Sequence, residues 1–327
     1  MTETATGHPY DPLTPELVIE AVEAQGHLCD MRLLALNSYE NRVYQVGIED
    51  KEPVIAKFYR PQRWSREQIQ EEHDFSHELV DADISVVAPQ RDSNGDSLHE
   101  YGGFMYALFQ RRGGHPPELD NLDNLLVLGR TVGRIHAVGK ASEFKYRQDI
   151  SLQRMAIDSY QFLSENIVPA SLRTPYVTLA EDLVGRIQQH YLPGKQIRCH
   201  GDCHVGNILW RDNTAHFVDL DDCVTAPAIQ DLWMFLNGDR QQQLLQLSEI
   251  IEGYDEFSEF DPAELSLIES MRTMRIMHYA AWLGRRWSDP AFPRSFPWFG
   301  EERFWADHIL ELREQLAALD EAPLTLY

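Results

Sequence analysis

The sequence predicts an α+β fold in two lobes, a small β-rich N-terminal lobe and a larger, mainly helical C-terminal lobe. The first 110 of the 327 residues alternate between helical and strand patterns. The run Arg111-Arg112-Gly113-Gly114 then breaks the pattern, as linkers do. Most later segments have helical spacing of apolar residues. Because a chain of this length exceeds one typical core, we place the domains at 1–110, a nucleotide-binding lobe, and at 111–327, a catalytic and substrate lobe.

The N-terminal lobe is predicted to contain two helices and several strands. Thr14 as N-cap and Pro15 at the first helical position begin one helix. Ser65 and Gln68 form a capping box that predicts the second. Runs of β-branched and aromatic residues predict strands at 42–46, 53–59, 86–89 and 98–110, the first two as a hairpin.

The C-terminal lobe is predicted to be helical except around residues 197–223. There, two short apolar runs flank Asp212 and Asn213, which indicates a hairpin. A β-rich lobe joined to a helical one is typical of a nucleotide-binding cleft. Amphipathic patterns predict helices at 122–136, 152–165, 176–190, 230–236, 241–254, 262–287 and 301–319.

Composition and charge exclude several classes of protein. The net charge of −23 disfavours nucleic-acid binding. Met1–Asp11 lacks the features of a signal peptide, and no apolar run approaches the roughly 18 residues that span a bilayer. Four cysteines are too few for a disulfide scaffold. We therefore expect a cytoplasmic protein without a membrane partner, and without a heptad seam we expect a monomer.

The residues between 199 and 221 contain the spacing of a phosphoryl-transfer site. His200-x-Asp202 is followed by Asn207 and then by Asp219 at the end of an apolar run. In such a site an aspartate accepts the proton of the incoming hydroxyl, while an asparagine and a second aspartate hold Mg²⁺ through oxygen. This order predicts a protein-kinase-like fold with Asp202 and Asp219 as catalytic residues, and with Asn207 and Asp219 as metal ligands. The alternative is that all three are ordinary turn and cap residues.

The N-terminal lobe offers the nucleotide-binding partners of this site. Lys57 lies within the apolar run Val54–Phe58, where a charge is costly unless it is paired. A strand lysine that holds the ATP phosphates and pairs with a helix glutamate fits that position. Glu71 and Glu72 are the candidates, and the spacing to Phe75 and Leu79 favours Glu72. A solvent-facing Lys57 is the alternative.

Some residues in and near this stretch also fit other chemistry. Cys199, His200, Cys203 and His204 are potential zinc ligands, but their spacing is C-x₃-C and the chain has no second pair. Buried thiols are the simpler interpretation. Asp231 could cap a helix or reach back to the catalytic loop. The acidic segment 249–269 could attract a cationic substrate, although a solvated face explains it equally well.

Several segments together resemble the aminoglycoside phosphotransferase-like kinases, over about residues 14–323. Within that superfamily they look most like bacterial Ser/Thr protein kinases that act in stress responses. The matching residues are His200-Gly201-Asp202-x-His204-x-Gly206-Asn207, Val218-Asp219, Ala228-x-x-Asp231-Leu232, Leu36–Tyr44, Lys57–Pro61 and Trp287-x-Asp289–Pro293.

The resemblance implies roles beyond the spacing. Asp202 would be the proton acceptor, Asn207 and Asp219 the Mg²⁺ ligands, and Asp231 the buried anchor of the catalytic loop. Ser38, in a loop without the usual glycines, would contact ATP. The family implies a cytoplasmic, ATP- and Mg²⁺-dependent enzyme.

We therefore expect an ATP-dependent kinase that phosphorylates Ser/Thr hydroxyls on proteins, including itself, in a bacterial stress response. A small-molecule hydroxyl kinase of the aminoglycoside, choline or homoserine type is the alternative, because one catalytic apparatus serves both. A pseudokinase scaffold is disfavoured by the presence of all the catalytic residues.

Overall fold

The structure, a computed structural model, describes residues 8–326, which fold into two compact units. The first unit consists of the residues up to Glu118 together with Phe144–Arg147 and His204–Cys223. The second consists of Leu119–Glu143, Gln148–Cys203 and the residues from Val224 onward. Both units are discontinuous in the sequence, whereas the predicted lobes 1–110 and 111–327 are continuous. The boundary at residue 110 therefore stays a prediction.

The elements of the described chain follow the predicted order in outline. The helices are α1 (Pro15–Glu23), α2 (Arg66–Asp81), α3 (Leu122–Gly139), α4 (Asp158–Asn166), α5 (Arg173–His190), α6 (Arg240–Asp255), α7 (Ile268–Arg285), α8 (Ala291–Ser295) and α9 (Glu302–Ala318). The strands are β1 (Cys29–Ala35), β2 (Arg42–Ile48), β3 (Lys51–Phe58), β4 (His99–Tyr101), β5 (Phe104–Gln110), β6 (Ile197–Cys199), β7 (Ile208–Arg211), β8 (Thr214–Phe217) and β9 (Val224–Ala226).

The first unit contains an antiparallel sheet in the order β1-β2-β3-β5-β4. The strand β3 lies in the middle, and Lys57 pairs in register with Val43 on one side and Ala107 on the other. One face of the sheet packs against α1 through residues such as Val18, Val46 and Phe58. Lys57 is thus fixed in a central strand, and its side chain is buried.

Both predicted helix starts in this unit are confirmed. The Thr14 side chain accepts a hydrogen bond from the Leu17 N–H and begins α1. The capping box of Ser65 and Gln68 is complete and begins α2. Such caps satisfy N–H groups that otherwise have no partner at a helix start, and each contributes about 1 kcal/mol.

Several predicted boundaries were wrong. The strand β1 was not predicted, because it is a largely exposed edge strand without clear apolar alternation. Within the predicted strand region 98–110, Gly102 and Gly103 turn the chain with positive φ between β4 and β5. Residues 86–89 form only isolated bridges.

The helical predictions after residue 197 also needed correction. The segment 230–236 is not an α-helix but two short 3₁₀ turns, Ala228–Asp231 and Trp233–Phe235. The segment 262–287 begins as a 3₁₀ turn, Pro262–Leu267, before α7 starts. The hairpin around Asp212 and Asn213 is confirmed as β7 and β8.

In the second unit, α3 and α6 contact each other backbone to backbone. A Cβ atom at Gly129 would collide with the Ile250 carbonyl, and one at Gly253 with the Leu126 carbonyl. A Cβ atom at Gly133 would lie 2.6 Å from the Tyr254 carbonyl oxygen, which is also too close. Glycine is therefore required at these positions by the close approach of the two helices.

Across residues 8–326, we find no helix that combines the length and the apolar character needed to cross a membrane.

Candidate active site

Lys57 is the centre of a buried ion cluster in the first unit. Its ammonium nitrogen lies 3.3 Å from Oε1 of Glu72 and 3.0 Å from Oδ1 of Asp219. A third carboxylate oxygen, Oδ1 of Asp221, lies at 3.1 Å. A buried lysine requires such partners, because an unpaired charge in the interior costs several kcal/mol. The structure therefore places Lys57 inside the protein and not facing solvent.

Of the two candidate glutamates, Glu72 lies against Lys57. Glu71 instead accepts hydrogen bonds from the backbone N–H groups of Lys145, Tyr146 and Arg147, at 2.6–2.9 Å. The sequence favoured Glu72 because its helical face also carries apolar residues, and the burial of that face agrees. The role of Glu72 in nucleotide binding stays a prediction.

The cluster shifts the pKa values of its members in opposite directions. Burial alone would lower the pKa of Lys57, but Asp219, Asp221 and Glu72 outweigh it and hold that pKa well above its usual value. Burial raises the pKa of Glu72, against the opposing effect of Lys57. Lys57 therefore stays charged at neutral pH, as its predicted role as a phosphate ligand requires.

The hairpin β7–β8 brings Asn207 close to Asp219 in space. Asn207 ends a 3₁₀ turn just before β7, and its backbone oxygen accepts a hydrogen bond of 3.0 Å from the Val218 N–H. Asp219 follows Val218 directly. The amide and carboxylate oxygens are the hard donors that Mg²⁺ prefers, so the donor set fits that ion.

Asp219 adopts an unusual backbone conformation. Its φ and ψ are 60° and 63°, in the left-handed region, and its side chain is about half exposed. Residues other than glycine adopt this region at a cost in free energy, and such residues concentrate at functional sites. The turn directs the carboxylate of Asp219 towards Lys57.

Asp221 was missed by the sequence analysis. Its carboxylate forms an ion pair with Arg63 and accepts a 3.2 Å hydrogen bond from Nδ2 of Asn41. Arg147 donates to its backbone oxygen. Burial would raise the pKa of Asp221, but Arg63, Lys57 and Arg147 outweigh it and hold that pKa well below its usual value. Its position two residues after Asp219 was the only feature of the sequence that could have indicated a role.

The loop that contains Ser38 is attached to the same network. The Ser38 hydroxyl donates to the Asn41 carbonyl at 3.0 Å, which closes the turn between β1 and β2. Asn41 is buried, and its Oδ1 accepts a hydrogen bond from the Arg60 N–H. Because Asn41 also donates to Asp221, the loop is held against the Lys57 cluster. Contact of Ser38 with ATP stays a prediction.

In the second unit, Asp231 holds the loop that carries Asp202, the predicted base. The strand β6 leads into this loop, and the N–H groups of His200 and Gly201 donate to the Asp231 carboxylate at 2.6 and 2.8 Å. His136 on α3 lies 3.0 Å from the same carboxylate. Asp231 is fully buried and anchors the loop, so the interpretation as a helix cap was wrong.

Asp202, the predicted base, lies in this anchored loop beside an arginine of α7. Its Oδ1 forms an ion pair with Nη2 of Arg275 at 2.7 Å. Gly201, with φ of 87°, lets the chain turn immediately before it. Arg275 was missed because it lies far from Asp202 in the sequence. It is on a helix whose spacing of apolar residues indicates only which side packs against the protein.

The zinc alternative is not supported in the part of the chain that the structure describes. The four residues proposed for it do not form a cluster of potential ligands there; the group that does is His136, Cys199 and Asp231. Burial raises the pKa of the Cys199 and Cys203 thiols well above its usual value. With no metal bound, both thiols are therefore protonated at neutral pH, as expected of buried small side chains.

We expect the replacement of Asp231 with alanine to destabilise the second unit. Two backbone N–H groups and His136 would lose a buried acceptor. We expect this loss to lower the free energy of unfolding by about 3–5 kcal/mol. Urea unfolding followed by fluorescence measures this change, with Asp307→Ala as control. Asp307 lies on α9, its side chain is 70% exposed, and its loss should cost less than about 0.5 kcal/mol. Equal midpoints for the two variants would contradict the role of Asp231 as an anchor.

These features define a class of protein. A kinase-like phosphotransferase contains three such parts. They are a strand lysine paired with a helix glutamate, an Asn and an Asp on one hairpin, and an aspartate in a separately anchored loop. The chain belongs to the phosphotransferase enzyme family, which matches residues 32–268. The predicted kinase activity is confirmed at this level.

Curated relatives match almost the whole chain. It is 44% identical over 319 residues to stress response kinase A of Escherichia coli K12, covering 97% of both chains. It is 45% identical to the serine/threonine protein kinase RdoA of Salmonella typhimurium, again over 97% of both chains. The predicted family resemblance is confirmed.

Solved structures agree on the fold. Amicoumacin kinase hAmiN, in a complex with AMP-PNP, Ca²⁺ and amicoumacin, gives a TM-score of 0.72 at 20% identity, over 94% of this chain and 95% of that one. The microcompartment-associated aminopropanol kinase gives 0.67 at 18% identity, over 91% and 98%. The predicted kinase-like α+β fold is thereby confirmed.

Proposed function

We propose that the protein is an ATP- and Mg²⁺-dependent Ser/Thr protein kinase that also phosphorylates itself. One observation carries the proposal: Lys57 contacts both Glu72 on α2 and Asp219 on the hairpin. A lysine in those two contacts matches the arrangement that active kinases require. The names of the relatives support a protein substrate and a role in stress response.

In the reaction, the acceptor oxygen attacks the γ-phosphorus, the bond to the β-phosphate oxygen breaks, and ADP leaves. Asp202 is expected to accept the proton of the hydroxyl and to orient it. Lys57 is expected to bind the α- and β-phosphates, and the Ser38 loop to cover them. Bound between Asn207 and Asp219, Mg²⁺ would neutralise phosphate charge. Arg63 and Asn41 would keep this arrangement in place through Asp221.

A small-molecule kinase is the second candidate, because hAmiN and the aminopropanol kinase share the fold. The relatives named stress response kinase A and serine/threonine protein kinase RdoA favour a protein substrate over a small molecule. A pseudokinase is disfavoured by the intact set of Lys57, Asp202, Asn207 and Asp219.

Labelled ATP tests the proposal directly. We expect purified protein with Mg²⁺ to transfer label to its own Ser/Thr residues and to protein acceptors. Transfer only to members of a metabolite panel would support the second candidate, and the absence of transfer to any acceptor would support the pseudokinase. We also propose that the enzyme works as a monomer in the cytoplasm, without a nucleic-acid or membrane partner.

A further inference from the structure

The helix α2 buries polar side chains, although the inner face of a helix is usually apolar. Glu72, His73, Ser76 and His77 are all buried. A buried polar group is costly unless it is hydrogen-bonded, so each of these side chains needs a partner. Lys57 is a partner of Glu72. The proposed function, however, gives no role to His73, the residue next to Glu72.

Tyr59, which directly follows β3, connects Glu72 to His73. Its hydroxyl oxygen lies 3.2 Å from Oε1 of Glu72 and 2.8 Å from Nε2 of His73. The other ring nitrogen of His73, Nδ1, lies 2.9 Å from the hydroxyl oxygen of Ser97. Tyr59, His73 and Ser97 are each at most 3% exposed, so water does not compete for these hydrogen bonds. We call these three residues the Tyr59 network.

The hydrogen bonds of the Tyr59 network run in a single direction, towards Glu72. Oε1 of Glu72 also accepts a hydrogen bond from Lys57, and a carboxylate oxygen only accepts, so the Tyr59 hydroxyl donates to it. That hydroxyl has one hydrogen, and it must therefore accept from Nε2–H of His73. Burial lowers the pKa of His73 to about 3, which leaves the ring neutral and its Nδ1 as an acceptor for the Ser97 hydroxyl.

The carboxylate of Glu72 is held through one oxygen only. Lys57 and Tyr59 both donate to Oε1. Among the residues that the structure describes, none donates a hydrogen bond to the buried Oε2. The Tyr59 hydroxyl is therefore the group besides Lys57 that orients this carboxylate. A hydrogen bond donated to a carboxylate also favours its charged form, which is the form that pairs with Lys57.

We propose that Tyr59 is a positioning residue that holds the Glu72 carboxylate on Lys57, with His73 and Ser97 fixing the direction of its hydroxyl. The inference rests on the proposed function, in which Lys57 binds the nucleotide phosphates. Lys57 also contacts Asp219, the predicted Mg²⁺ ligand. If Glu72 were released, the ammonium would pair more closely with Asp219 and would be less available to the phosphates.

The test is the affinity of Tyr59→Phe for a non-hydrolysable ATP analogue with Mg²⁺, measured by calorimetric titration. We expect the Kd to rise about tenfold, as for the loss of one hydrogen bond to a charged group. In assays with labelled ATP, the KM for ATP should rise by the same factor, while the KM for the protein acceptor stays unchanged. A residue that only supports the fold would not separate these two constants.

Tyr106→Phe is the matched control. Tyr106 is fully buried in the same sheet, and its hydroxyl donates to the Ala21 carbonyl of α1 at 2.6 Å. This variant also loses one buried hydroxyl, so it should lower Tm about as much as Tyr59→Phe and leave the Kd for the analogue unchanged. Among variants of His73, His73→Gln keeps an N–H donor and should bind the analogue more tightly than His73→Leu.

A double variant tests whether Tyr59 acts through Glu72. Glu72→Gln removes the charge that Tyr59 is proposed to hold. In that background, Tyr59→Phe should change the Kd by less than about twofold, because the effects of two residues that act together are not additive. A tenfold effect in both backgrounds would show that Tyr59 acts in another way and would overturn the inference.

Nitrogen NMR of the wild type tests the direction of the network without any variant. We expect His73 to be neutral at neutral pH and to carry its proton on Nε2. A proton on Nδ1 alone would mean that Tyr59 donates to His73 and not to Glu72, which would overturn the inference. An unchanged Kd in Tyr59→Phe would also overturn it and leave the proposed function intact. Absence of label transfer by a wild type that binds the analogue would instead overturn the proposed function and leave the positioning of Glu72 intact.

Discussion

Replacing Asp202 with asparagine should reduce kcat by about 10³-fold and leave the affinity for Mg-ATP almost unchanged. A positioned general base contributes roughly 10²–10⁴-fold to a reaction of this type. Asparagine has almost the same shape but cannot accept the proton. The loop itself should keep its conformation, because Asp231 holds it through the backbone of His200 and Gly201.

Two measurements test this prediction. Transfer of label from ATP to protein gives kcat, and calorimetric titration with a non-hydrolysable ATP analogue gives the affinity. Asp307→Asn, on the exposed side of α9, is the control and should have wild-type activity. Wild-type turnover in Asp202→Asn would show that another residue accepts the proton.

Replacing Asp219 with asparagine should remove the metal dependence of nucleotide binding. Asparagine tolerates the left-handed backbone conformation of Asp219, so the variant changes the charge and not the turn. Loss of an anionic ligand should lower kcat/KM by about 10³-fold, the scale on which a bound metal stabilises charge. Lys57 would keep Asp221 and Glu72 as partners, and the fold should therefore be retained.

The measurement is an ATP titration at a series of Mg²⁺ concentrations. In the wild type the affinity should rise with Mg²⁺, and in the variant this rise should be much weaker. Asp212→Asn is a matched control, because Asp212 is on the same hairpin, also has positive φ, and is 86% exposed. If both variants respond to Mg²⁺ like the wild type, Asp219 is not a metal ligand.

Much of the candidate site could be predicted because its residues leave local signals. Lys57 is a charge in an apolar strand, and Asp202, Asn207 and Asp219 follow a fixed spacing along one stretch of chain. Each signal is contained within a short window. Burying the charge of Lys57 is unfavourable unless an acidic side chain pairs with it. Glu72 was the nearest acid on a helical face predicted to be buried, and it is paired with Lys57 in the structure.

The residues that were missed are connected only in three dimensions. Arg63 meets Asp221 and Arg275 meets Asp202 across long stretches of sequence. Neither arginine disturbs the local pattern, since a surface arginine and a paired one look the same in a sequence. The edge strand β1 was missed for a related reason. It is held in place by pairing with β2, and its own residues show no strand pattern.

The backbone contact between α3 and α6 has a consequence for how the enzyme tolerates substitution. His136 on α3 forms hydrogen bonds with both Asp231 and the hydroxyl of Tyr254 on α6, so the helix pair positions the residue that supports the Asp202 loop. A methyl group added at Gly129 or Gly253 would force the helices apart and move that support. In a genetic screen for inactive kinases, these two glycines should therefore appear beside Asp202, although neither belongs to the loop that carries it.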